Sequence, residues 1–145
     1  MTPTCSSITS PTTRSNGAAC TQLVKRVELQ HLRGLTSAHL LADIAHRLMT
    51  LEAMKRLSWP PTSLAVRLRK HHAEIPKLTV YRQAITDLPH LRIQVLPLTQ
   101  VLVESAALLS QQHELLTDDA LVVSMMQQHS ITSLASEDSD FDRVP

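Results

Sequence analysis

Two stretches, Leu115-Leu116-Thr117-Asp118-Asp119-Ala120-Leu121-Val122-Val123 and Leu134-Ala135-Ser136-Glu137-Asp138-Ser139-Asp140-Phe141-Asp142, carry the reading of this chain. The first sets two carboxylates at the start of an apolar helix. Thr117 is its expected cap, and Asp118 and Asp119 fall in the first turn, where the helix dipole favours negative charge. The second sets a carboxylate cluster just past an apolar strand, expected over Ser130 to Ala135. No cysteine and no basic residue stands among these acids. Such a group offers hard oxygen donors of the kind that suit Mg²⁺ or Mn²⁺.

Working upstream, Ile93-Gln94-Val95-Leu96-Pro97 is the clearest strand, followed by a helix from about Thr99 to His113. Leu32 to Ser37 reads as a short buried strand that runs into a helix. In that helix Leu41, Ile44, Ala45, Leu48 and Met49 recur at helical spacing, and Trp59-Pro60-Pro61 ends it or an immediate successor. Leu23, Val24 and Val27 mark a helix from Ala18 to about His31. Thr62 to His72 is a basic helix, and Thr79 to Leu88 is another, bounded by Pro76 and Pro89. Strands alternating with helices imply a central parallel sheet with helices on both faces, a three-layer α/β/α arrangement. Ligands of such sheets sit beyond the carboxyl ends of the strands, where Ser37, Asp138 and Asp140 are expected. Residues 1–16 hold five Thr and four Ser without periodicity and are expected to be disordered, leaving one domain over 17–145.

The 145 residues suffice for one real core, which must be aliphatic because aromatics make up only 2% of the chain. A net charge of +1 conceals a division. Between Lys55 and Arg82 lie seven Lys/Arg and one acid, Glu74, whereas between Glu104 and Asp142 lie eight acids and no Lys or Arg. A basic middle beside an acidic end fits an enzyme that holds a polyanion against bound cations, with Arg67, Arg69 and Lys70 as candidate contacts to that polyanion. The same three residues would also serve simply to solvate a helix face. Cys5 and Cys20 make no metal or disulfide pattern. No apolar run reaches the roughly 20 residues of a membrane span, so a cytoplasmic setting is the default.

The two acidic stretches resemble the C-terminal half of a PIN domain, the ribonuclease fold of VapC-like toxins. The matching residues are Thr117-Asp118-Asp119-Ala120-Leu121 and Ser136-Glu137-Asp138-Ser139-Asp140-Phe141. Gly34-Leu35-Thr36-Ser37-Ala38-His39-Leu40-Leu41-Ala42-Asp43-Ile44-Ala45-His46-Arg47 resembles the family's second strand and the acid-bearing helix after it. The resemblance runs from about Gly17 to Pro145. It implies that Asp119, Asp138, Asp140 and Asp43 hold Mg²⁺ or Mn²⁺, with Asp43, Asp119 and Asp138 catalytic and Ser136 and Ser37 in support. Asp43 stands where the family prefers glutamate. His39, Asp43 and His46 share a helical face, but histidine suits softer metals than this cluster does.

The activity implied is metal-dependent hydrolysis of RNA by the toxin of a toxin-antitoxin pair, with an antitoxin partner and a homodimer. In that reaction the metal lowers the pKa of the attacking water. One family element is missing, a first strand led by Asp, since no acid precedes Glu28. Dropping two nucleotides from the codons of Met1-Thr2 makes the next codon GAC, an Asp codon. Residues 1 to about 16 therefore read as that strand out of frame. The rival reading is a non-catalytic remnant that binds RNA or a protein partner.

Overall fold

The computed structural model describes residues 13–136 and 138–145. Of residues 1–16, expected to be disordered or an out-of-frame strand, 1–12 lie outside the described residues, and 13–16 are helical instead. The chain forms two compact units, Arg33–Leu96 on the one hand and, on the other, Pro97–Pro145 with the described residues up to Leu32.

The Arg33–Leu96 unit is built on two short parallel strands, β1 (Gly34–Ser37) and β2 (Ile93–Leu96), with Gly34 opposite Ile93 and Ser37 opposite Leu96. Between them run α2 (Ala38–Leu57), α3 (Leu64–Lys70) and α4 (Val80–Thr86). Ser37 closes β1 and caps α2, its hydroxyl accepting the N–H of Leu40 at 3.4 Å. Ser58, in the left-handed region at φ 51°, ends α2 directly before Trp59-Pro60-Pro61. The core is Ala53, Leu68 and Leu78, with Met49, Leu57, Trp59, Ile75 and Tyr81 packed around it.

Glu52 ties this unit together. Its carboxylate accepts the N–H of Thr79 at 2.8 Å and of Tyr81 at 3.0 Å, filling the capping role that Thr79's own side chain leaves open. The basic helix is shorter than its sequence suggested. After Lys70 the backbone tightens into a 3₁₀ stretch, His72–Lys77, that contains Pro76.

The other unit contains α1 (Thr13–Glu28), α5 (Gln100–His113) and α6 (Thr117–Gln128). Thr99 caps α5 by accepting the N–H of Leu102. Helices α5 and α6 form a hairpin whose core is Ala106, Leu109, Leu115, Ala120, Leu121 and Val123. Buried Ser124 donates to the carbonyl of Leu102 at 3.2 Å and fastens the pair.

Two expectations need correction. Ser130 to Ala135 is not a strand: Ser130 turns at φ 52°, and residues 131–135 pair with no strand among the described residues. A strand exists only where a neighbour takes its N–H and C=O groups. The described sheet accordingly has two strands rather than a full central layer. Thr117 is also not the cap of α6. Leu116 occupies that position, so α6 begins without a side-chain cap and relies on Asp118 and Asp119 in its first turn. No described helix is long and apolar enough to cross a membrane.

Candidate metal centre

Asp119 stands in the first turn of α6 because Leu115 and Ala120 on either side of it are pinned in the hairpin core. The turn over 138–143 is brought to the same place by apolar packing. Phe141 and Val144 rest on the α5–α6 core, fixing the carboxylates that alternate with them. Local hydrogen bonds set its shape. Asp138 donates its N–H to Ser136 Oγ at 3.0 Å and accepts the N–H of Asp140 on Oδ1 at 2.9 Å. Ser136 therefore orients the turn. Arg143 clamps it, donating to the carbonyl of Glu114 at 2.8 Å and pairing with Asp140 Oδ1 at 2.9 Å.

Asp119, Asp138 and Asp140 each place a carboxylate oxygen within 4.8 Å of the other two. Partial burial pushes the Asp119 carboxyl above the usual carboxylate range, and the charges of Asp138, Asp140 and Asp118 push it further. Three carboxylates crowded in this way repel one another unless a cation joins them. The donor set is all oxygen, and Arg143 engages one oxygen of Asp140 while leaving the other. These residues fit a hard divalent cation. Asp118 is exposed and outside the group, as is Asp142.

The remaining candidates belong to the Arg33–Leu96 unit. Ser37 is buried at 2% exposure, caps α2 and lies 2.8 Å from His39 Nδ1. Asp43 is exposed on α2, not enclosed in the apolar stripe its neighbours suggested, and Ile44 beside it is also 49% exposed. Of the expected stripe only Ile44 is exposed, whereas Leu41, Ala45, Leu48 and Met49 are half-buried. Arg69 and Lys70 are exposed in the last turn of α3, with Arg67 partly covered. Two residues were not singled out from sequence. Arg143 sits three residues from its acid, a spacing that a search for basic neighbours would find. Glu52 acts 27 and 29 positions away, and no local pattern reveals it.

Searches of curated proteins and of solved structures found no match to this chain. Among protein-family models, the one described as PIN domain matches residues 23–145, a span that contains α2, α6 and all three clustered aspartates. Members of that family are typically nucleases that bind divalent metals, and by this match the chain belongs to the PIN domain family.

Proposed function

We propose that the chain is an endoribonuclease that hydrolyses RNA phosphodiesters with Mg²⁺ or Mn²⁺, and that it acts as the VapC-like toxin of a toxin-antitoxin pair. The observation that carries this reading is the convergence of Asp119, Asp138 and Asp140 in a chain of a nuclease family. These three are the proposed ligands, with Asp119 and Asp138 nearest the chemistry. Asp43 is proposed as an outer carboxylate, Ser136 as the group that orients the turn, and Ser37 as support for the start of α2. A divalent cation bound there supplies Lewis acidity toward the scissile phosphate and an activated water. The chain's own contribution is to hold the carboxylates in place and to grip the RNA backbone through Arg67, Arg69 and Lys70. An antitoxin that occludes the site, a homodimer and a cytoplasmic setting complete the proposal.

Cleavage of a labelled RNA should require Mn²⁺ or Mg²⁺, stop on chelation and be lost in Asp119→Asn. Metal-independent cleavage, or full activity in that variant, would sink the reading. One observation favours a second reading. No acid precedes Glu28 in the sequence, so the Asp-led strand that the family resemblance implies is absent from it. A protein that retains RNA unchanged by chelator, and never cleaves it, would be a binding module.

A further inference from the structure

Trp59 is the only tryptophan in the sequence. It follows the left-handed Ser58 that ends α2, and its partly buried indole packs on the core of Ala53, Leu68 and Leu78. His71, which closes α3, pairs with it. The ring centroids are 5.6 Å apart and the planes are inclined by 49°. Two covered rings in this arrangement would be ordinary core packing. Here the histidine is exposed, so a ring braced from below by the core is presented to solvent.

Two exposed cations, Arg69 and Lys70, precede His71 directly in the chain. Glu74, the one acid between Lys55 and Arg82, is already engaged by Lys77 at 2.8 Å. An exposed ring backed by the indole, with two exposed cations next to it in the chain, has the two elements that bind an unpaired nucleotide, a π face for the base and charge for its phosphates. A lipid surface would require exposed apolar anchors rather than an imidazole, and an acidic peptide would have no use for the ring.

We propose that His71, braced by Trp59, is a stacking platform for one base of single-stranded RNA, with Arg69 and Lys70 holding the flanking phosphates. This rests on the reading of the chain as an RNA-acting protein, and it places recognition on unpaired RNA, because bases within a duplex present no free face.

The test uses the full chain in EDTA, so that nothing is cleaved, titrated with a short fluorescein-labelled single-stranded RNA. Emission from Trp59 should change saturably with the same midpoint as the RNA anisotropy. His71→Ala should weaken binding about tenfold without changing its salt dependence, and His71→Tyr should restore it. Arg69→Gln and Lys70→Gln should instead each flatten the salt dependence by a little under one phosphate contact. Three outcomes would overturn the proposal: RNA bound with indole emission unchanged, His71→Ala binding as tightly as the parent, or duplex RNA of the same length binding equally well. Cleavage lost in Asp119→Asn while single-stranded RNA is still bound concerns the carboxylates alone. The two readings therefore fail separately.

Discussion

Asp119 is the residue on which stability and function are set against each other. Its carboxyl is raised by partial burial and by three neighbouring aspartates. A raised acid binds its proton more tightly folded than unfolded, so between the unfolded and folded pKa the native state holds the extra proton. Stability therefore falls as pH rises from the ordinary Asp value through the folded one, and the ionised metal-free protein carries the repulsion at neutral pH. Asp119→Asn should raise the melting temperature of the metal-free protein at neutral pH and abolish the further rise produced by Mn²⁺. A variant that still gains from Mn²⁺ as the parent does would show the cluster to be no cation site. Glu52 has the opposite sign. Burial pushes it up, but the backbone donors Tyr81, Val80 and Thr79, together with the charge of Arg56, outweigh that and hold it below the usual range. Its contribution is complete above the ordinary Glu value and is lost as pH falls through the folded one. Glu52→Gln should then cost stability at neutral pH and much less in acid, read from urea melts at the two pH values.

At the scale of elements, the acid turn is a single short 3₁₀ stretch, Ser139–Arg143, and depends on Phe141 seated against the α5–α6 hairpin. Phe141→Ala should cost about 2 kcal/mol, below the roughly 3–5 kcal/mol of a fully buried ring because this one is only partly buried. It should also weaken Mn²⁺ binding by calorimetry although no ligand is changed. Unaltered metal affinity would mean that the hydrogen bonds of Ser136 and Asp138 hold the turn alone. The same logic shows what was legible in sequence. Helix α2 announces itself because apolar side chains at helical spacing must share a face, whereas Ser37 and Thr99 prove to be caps that the sequence reading had not singled out. Strands β1 and β2 were legible because each finds the other. Ser130 to Ala135 has a similar local composition and forms no strand, since pairing belongs to the partner as much as to the segment. Asp119, Asp138 and Asp140 were legible as a group through family resemblance, which carries long-range proximity that periodicity does not. Glu52 capping α4 was illegible for the same reason in reverse: its partners are nearly thirty positions away, and no motif records them.

At the scale of the whole molecule, the charge division follows the structural one. Arg33–Leu96 holds ten Lys/Arg and four acids, whereas the other unit holds nine acids and four Lys/Arg, with eight of those acids and only Arg143 of those bases in Pro97–Pro145. One unit is suited to a polyanion and the other to cations, and each has its own apolar core. Ligands should therefore act on the units selectively. Because a ligand stabilises only what it binds in the folded state, Mn²⁺ should slow amide exchange in the first turn of α6 and over residues 138–143, with little effect on α2 to α4. Single-stranded RNA added in EDTA should do the reverse, protecting the end of α3 and the 3₁₀ stretch after it. Hydrogen exchange read by mass spectrometry on the two ligands separately makes the comparison. Uniform protection by either one would mean that the chain responds as a single cooperative body. Mn²⁺ protection confined to Pro97–Pro145, and absent in Asp119→Asn, would fix the cation on the three aspartates without recourse to cleavage. That result would hold whichever way the activity assay falls, because cation binding needs only the carboxylates whereas hydrolysis needs everything the family site supplies.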